Sequence, residues 1–172
     1  MNEMLRSLFY QNKFDSSISF KLMHNNSSFK DVKPPILNSL VRAYIKPNEY
    51  EPMYGFIGRV IGLDRSGMDL LPVGVLNKNV HYNFQGSVYK SYDKIYPILV
   101  TEDLIKQLGF VHYNVRGFSG YRIKIGGIYL KIKLDEYPVA GFILKWGSNT
   151  YSGTYLHQLM EILDLYFLNF IL

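Results

Sequence analysis

Residues 121–134, "YRIKIGGIYLKIKL", constrain this chain more than any other stretch. Apolar and polar residues alternate on both sides of Gly126-Gly127, a period of two that belongs to extended chain rather than helix. Twin glycines accept the positive φ values that a two-residue hairpin turn demands. The predicted register sets Ile123 opposite Leu130 and Arg122 opposite Lys131. Ile123, Ile125, Ile128, Leu130, Ile132 and Leu134 then face a core, while Arg122, Lys124, Tyr129, Lys131 and Lys133 share the other face.

Like charges set across a ladder repel, so Arg122 beside Lys131 asks for a compensating anion. A row of cations with a tyrosine among them matches a nucleic-acid backbone and a stacked base. The same row also reads as a solvated face whose lysines guard a sheet edge against aggregation. Arg116, in "NVRGFSG", extends the patch if the glycines around it form an anion nest. Convergence of the hairpin cations with Arg116 and Lys145 is the geometry that separates the two readings.

Before the hairpin, "LVRAYIK" (40–46) predicts a strand closed by Pro47 and Asn48. "GFIGRVIGLDRSGMDLLPVGVL" (55–76) predicts a second hairpin around Asp64-Arg65-Ser66-Gly67, with Gly58 and Gly62 marking a bend suited to a small barrel. Pro72 argues for an edge strand. Residues 77–92 are a polar, tyrosine-rich connector without a clear period. In "PILVTEDLIKQLGF", Thr101 is a helix N-cap, Glu102 and Asp103 complement the dipole of the first turn, and Gly109 stops the helix. "VAGFILKW" (139–146) is a nearly apolar strand expected near the middle of a sheet.

The last stretch, "YLHQLMEILDLYFLNFIL" (155–172), predicts a long apolar helix capped from within residues 149–154. His157, Gln158, Glu161, Asp164 and Asn169 interrupt its apolar surface, which excludes a membrane span needing about 20 predominantly apolar residues. His157 and Glu161 share one face of it and read as a pair. Tyr155, Leu159, Ile162, Tyr166, Phe167 and Phe170 are the candidate surface for a protein partner or a second copy. The expected fold is therefore α+β: a small curved antiparallel sheet or barrel, one short helix, a β-hairpin sheet and a long C-terminal helix. Residues 1–35 read as an N-terminal arm. Residues 36–172 read as a single compact domain, with barrel-like strands over 36–76 and helix–hairpin–strand–helix over 97–172.

Composition narrows the function. At 172 residues with 48% hydrophobic content, the chain can bury a core. Its 16% aromatic content suits half-buried sheet faces. The net charge of +5 permits a polyanion partner, and zero cysteines exclude disulfides and thiol chemistry. His24, His81, His112 and His157 show no metal-ligand spacing, and no phosphate-binding loop or nucleophile elbow is present. No catalytic residue set, cofactor or metal is expected. The start, "MNEMLRSLFYQNKF", lacks the features of a secretory signal, so a cytoplasmic or virion setting is expected.

Two stretches carry a resemblance. Pro97, Ile98, Thr101, Glu102, Leu104, Gly109 and Phe110, followed by Tyr155, Leu156, His157, Gln158 and Leu159, resemble the P-I-x-L-T-E-E-x-L-x-x-x-G-F and Y-[LV]-H-Q-L segments of small uncharacterised proteins of phages and mobile elements of gut bacteria. "GFIGRVIGLDRSGMDLLPV" is similar to the strand–turn–strand near their start, which itself looks like a KOW-type small barrel. The likeness covers about residues 40–172 and departs after Leu159, where "MEILDLYFLNFIL" replaces the usual ending. It implies a phage-like origin and a compact accessory protein inside an infected or carrying bacterial host, and no active site. The expected function is non-enzymatic binding of nucleic acid through the basic hairpin. The alternatives are a structural, adaptor or virion protein making protein contacts, and an inhibitor of a host defence enzyme.

Overall fold

The computed structural model describes residues 28–30, 33–45, 49, 53–75, 85–125, 127–135 and 141–163. They form two antiparallel sheets of five strands each. The first sheet contains β1 (Leu40–Ile45), β2 (Tyr54–Leu63), β3 (Gly67–Val75), β4 (Val88–Ser91) and β5 (Ile95–Tyr96), in the order β4-β3-β2-β1-β5. The second contains β6 (Val111–Val115), β7 (Phe118–Ile125), β8 (Ile128–Asp135), β9 (Gly141–Trp146) and β10 (Asn149–Gly153), in the order β10-β9-β8-β7-β6. Between the sheets in sequence lies α1 (Glu102–Gln107), and α2 (Leu156–Leu163) follows β10.

This corrects the expected α+β class: the described residues are mostly β. Two signals misled. Three strands, β4, β6 and β10, lie at sheet edges and bury no residue, so no apolar core face marks them in the sequence. In particular, residues 149–153, expected to cap a helix, form the edge strand β10. The helix after it is described only to Leu163, eight residues long, so no long apolar helix exists among the described residues. None of their helices is long and apolar enough to cross a membrane.

The first sheet curls into a half-barrel. Its register shifts between Ile57 and Gly58 and again between Val60 and Gly62, the bulges that let β2 and β3 bend. Pro72 was expected at an edge, yet β3 has neighbours on both sides. Its missing N–H is tolerated because β4 pairs only with Gly67 to Leu70, leaving Pro72 beyond the ladder and beside a bulge. Inside the curl, Val41, Ala43, Phe56, Val60, Leu70 and Ile95 form one core cluster. Phe29 joins that cluster, and its N–H donates to the Ile95 carbonyl at 3.0 Å. The described end of the N-terminal arm is thus built into the domain.

The opposite face of the same sheet contributes Leu40, Ile57 and Val73 to a second, larger cluster shared with α1, α2 and the inner face of the second sheet. One continuous core joins the two sheets. Thr101 caps α1 as expected, its Oγ1 accepting from Leu104 N–H at 3.3 Å, and Gly109 ends the helix with φ of 89°. At the start of α2, Gln158 Oε1 accepts from Thr154 N–H at 2.8 Å and Tyr155 N–H at 3.0 Å, the glutamine half of a capping box.

The β2–β3 turn is locked by Asp64. Its carboxylate accepts from Ser66 N–H at 2.7 Å, Gly67 N–H at 2.8 Å and Tyr89 Oη at 3.0 Å, and these bonds hold its pKa down to about 2. The Tyr92 hydroxyl donates to the Asp64 carbonyl at 2.7 Å. Both tyrosines come from the stretch read as a connector, and this knot pins β4 to the hairpin.

Candidate nucleic-acid interface

The hairpin β7–β8 has the predicted register: Ile123 pairs with Leu130, and Arg122 with Lys131. Ile123, Ile125, Leu130 and Ile132 are buried, as alternation requires, and Leu134 is partly buried. Ile128 departs from the pattern at 40% exposure, because it sits at the turn beyond the reach of the core. The solvent face is then extended by strand pairing that sequence periodicity does not reveal. Lys131 pairs with Lys145 of β9, so Arg122, Lys131 and Lys145 form a transverse row across three adjacent strands. Adjacent strands lie about 4.8 Å apart, which sets the spacing of that row.

Three like charges at this spacing repel, and the described residues of the face offer one acid. That acid is Asp135, whose carboxylate meets Lys133 Nζ at 3.3 Å. Aromatic rings lie against Arg122, Lys131 and Lys124. The Arg122 guanidinium lies 4.1 Å from the Tyr113 ring centroid and 5.1 Å from that of Tyr129. Lys131 Nζ lies 5.5 Å from Tyr113 and 5.8 Å from Phe118, and Lys124 Nζ lies 5.7 Å from Tyr129. Each such contact offsets repulsion by about 0.5–1 kcal/mol at exposed sites. The face is an alternation of rings and cations.

It is also concave. A trough of about 590 Å³ is lined by Tyr113, Phe118, Arg122, Tyr129, Lys131 and Lys145, with Gly117 and Gly147 at turns. Lys124 and Lys133 are exposed on the same face outside it. Arg116 occupies the exposed β6–β7 turn and does not line the trough; the neighbouring Gly117 does. Tyr113 and Phe118 were not anticipated as site residues. The signal was present in "VHYNV-RG-FSGYRIKI", where Val111, Tyr113 and Val115 alternate with His112 and Asn114 before a two-residue turn, but the edge strand is short and buries none of its residues.

Gly120 packs beneath Phe118, which lines the trough. A Cβ there would lie 2.5 Å from the Ile132 carbonyl oxygen and 3.0 Å from Phe118 Cζ, so glycine lets β7 and β8 close while Phe118 lies over the gap. Gly120→Ala is expected to cost about 1–3 kcal/mol by overpacking, read as a lowered urea midpoint. The wild-type midpoint in that variant would contradict the close approach.

The other candidate surface fares differently. Leu159 is wholly buried in the chain's own core, Ile162 packs partly against it, and Tyr155 stacks on His157 at 5.8 Å. Tyr166, Phe167 and Phe170 lie outside the described residues. His157 and Glu161, read as a pair, are not paired: Glu161 binds Lys33 at 3.0 Å, and His157 is buried. No group of three His, Asp or Glu among the described residues is placed to hold a metal ion. Compared with family models, curated proteins and solved structures, the chain finds no match.

Proposed function

We propose that this protein is a non-enzymatic, phage-type accessory protein that binds nucleic acid through the outer face of its second sheet. The observation that carries the reading is the row Arg122–Lys131–Lys145, three neighbouring cations of which two lie over rings, with no acid lining the trough. Phosphates would supply the missing negative charge, with Lys124 and Lys133 contacting the backbone at the margins. Such a row is costly to maintain as a merely solvated face, because one acidic residue at any of these positions would relieve it. The likeness of residues 97–110 and 155–159 to small phage and mobile-element proteins supports a role inside a bacterial host or in a virion.

The test is retardation of a labelled oligonucleotide in a gel at low salt. The wild type is expected to retard it, and the Lys124→Glu/Lys131→Glu double variant to abolish retardation. With three or four phosphates neutralised, a fourfold rise in salt is expected to weaken wild-type binding roughly 20- to 100-fold. No retardation by the wild type, even at low salt, overturns the proposal.

A further inference from the structure

Resting on that reading, we infer that the trough takes single-stranded rather than duplex nucleic acid, with bases landing on Tyr113, Phe118 and Tyr129. Two observations point there. The first is the pairing of every one of these rings with a cation of the same trough: Arg122 with Tyr113 and Tyr129, Lys131 with Tyr113 and Phe118. A phosphate entering the row attracts Arg122 and Lys131 more strongly than a ring quadrupole does, since a full charge replaces a partial one. Each cation that turns toward a phosphate uncovers a ring face, and the base attached to that phosphate is the flat partner nearest to hand. Charge neutralisation and stacking are thereby one event.

The second observation is shape. The rings lie in a recess of a concave sheet, not on a protruding helix or ribbon. A duplex keeps its bases stacked inside and presents only their edges in its grooves, which are read by elements that enter them. Its convex backbone can touch the exposed Lys124 and Lys145 while leaving the half-buried Tyr113 and Phe118 without a partner. An unpaired strand has free base faces and a flexible backbone, and both fit this floor. The trough lining holds no amide or carboxylate side chain, and its Arg122, Lys131 and Lys145 are taken up by phosphates in this arrangement, so binding tolerates many sequences.

Fluorescence anisotropy with a labelled single strand, the matching duplex and a single-stranded RNA of the same sequence tests this at one salt concentration. The wild type is expected to bind the single-stranded DNA at least tenfold tighter than the duplex. Tyr113→Ala is expected to lose roughly 5- to 150-fold in single-strand affinity, to leave duplex affinity within twofold, and to be rescued by Tyr113→Phe. If Tyr113→Ala fails to fold by circular dichroism, Tyr129→Ala, an exposed position, serves in its place. Equal affinity for strand and duplex, or equal loss of both in the ring variant, overturns the inference and leaves the polyanion reading standing. Binding of neither by the wild type overturns the reading beneath it. Comparable single-stranded DNA and RNA affinities support recognition by rings and phosphates alone, whereas binding of RNA only would place recognition on the 2′-hydroxyl and count against it.

Discussion

Phe142→Ala is expected to lower stability by about 3–5 kcal/mol, the largest single loss among the changes considered. The ring is 2% exposed and stands on the inner side of β9, between Leu134 of β8 and Gly153 of β10. A Cβ at Gly153 would come within 2.8 Å of Phe142 Cζ and 2.9 Å of Gln158 Oε1, so ring, edge strand and helix cap meet at one corner. Truncating the ring removes its buried area and leaves a cavity under that corner, which neighbouring strands tied by their ladders cannot close. For a chain of this length the loss corresponds to a Tm roughly 6–20 °C lower. A drop of under 2 °C would show that the corner does not depend on the ring. Anisotropy measured well below the variant's Tm should still detect oligonucleotide binding, because Phe142 faces away from the trough.

His157→Leu is expected to stabilise the protein, and to do so more as pH falls. His157 is 1% exposed, edge-on to Phe29 at 5.0 Å and stacked with Tyr155 at 5.8 Å. The Lys33 backbone is the polar group set against its ring, short of full hydrogen-bonding geometry. Burial holds its pKa down to about 4, outweighing Glu161 and the Lys33 backbone, which favour the charged ring, while the Lys33 ammonium opposes it. Between about pH 6.5, the ordinary histidine value, and pH 4, the unfolded chain takes up a proton that the folded chain refuses. Stability therefore falls as pH falls through that window, by about 3 kcal/mol in all. Leucine removes a buried imidazole whose polar atoms are incompletely satisfied, worth about 1–3 kcal/mol at pH 7, and abolishes the proton-linked loss. Urea midpoints of the two proteins should diverge steadily from pH 7 to pH 4.5. A constant difference across that range would mean that the imidazole protonates in the fold.

The mechanism of that burial explains why the C-terminal stretch misled. At helical spacing, His157 falls on a polar stripe with Gln158 and Glu161, which reads as a wet edge. In the structure Gln158 caps its own helix, Glu161 binds Lys33, and the arm segment carrying Phe29 and Lys33 covers the histidine. A residue's burial depends on what lies over it, and here the cover comes from more than a hundred residues earlier in the chain.

Local chemistry suffices for the features with a short physical range. The β7–β8 register follows from a twin-glycine turn between alternating residues, the β2–β3 turn from Asp64, and the ends of α1 from Thr101 and Gly109, each within a few residues of its cause. Strand order is of another kind. That Lys145 lies beside Lys131, that Tyr113 lies under Arg122, and that polar stretches such as "NTYSG" complete a sheet are consequences of pairing between distant segments. An edge strand draws its order from a neighbour's free N–H and C=O groups rather than from its own apolar rhythm, so it leaves little trace in one-dimensional pattern. The cations of the hairpin were legible in the chain; that Arg122 and Lys131 meet Lys145 in a ring-lined trough, with Lys124 and Lys133 outside it, belongs to the assembled sheet.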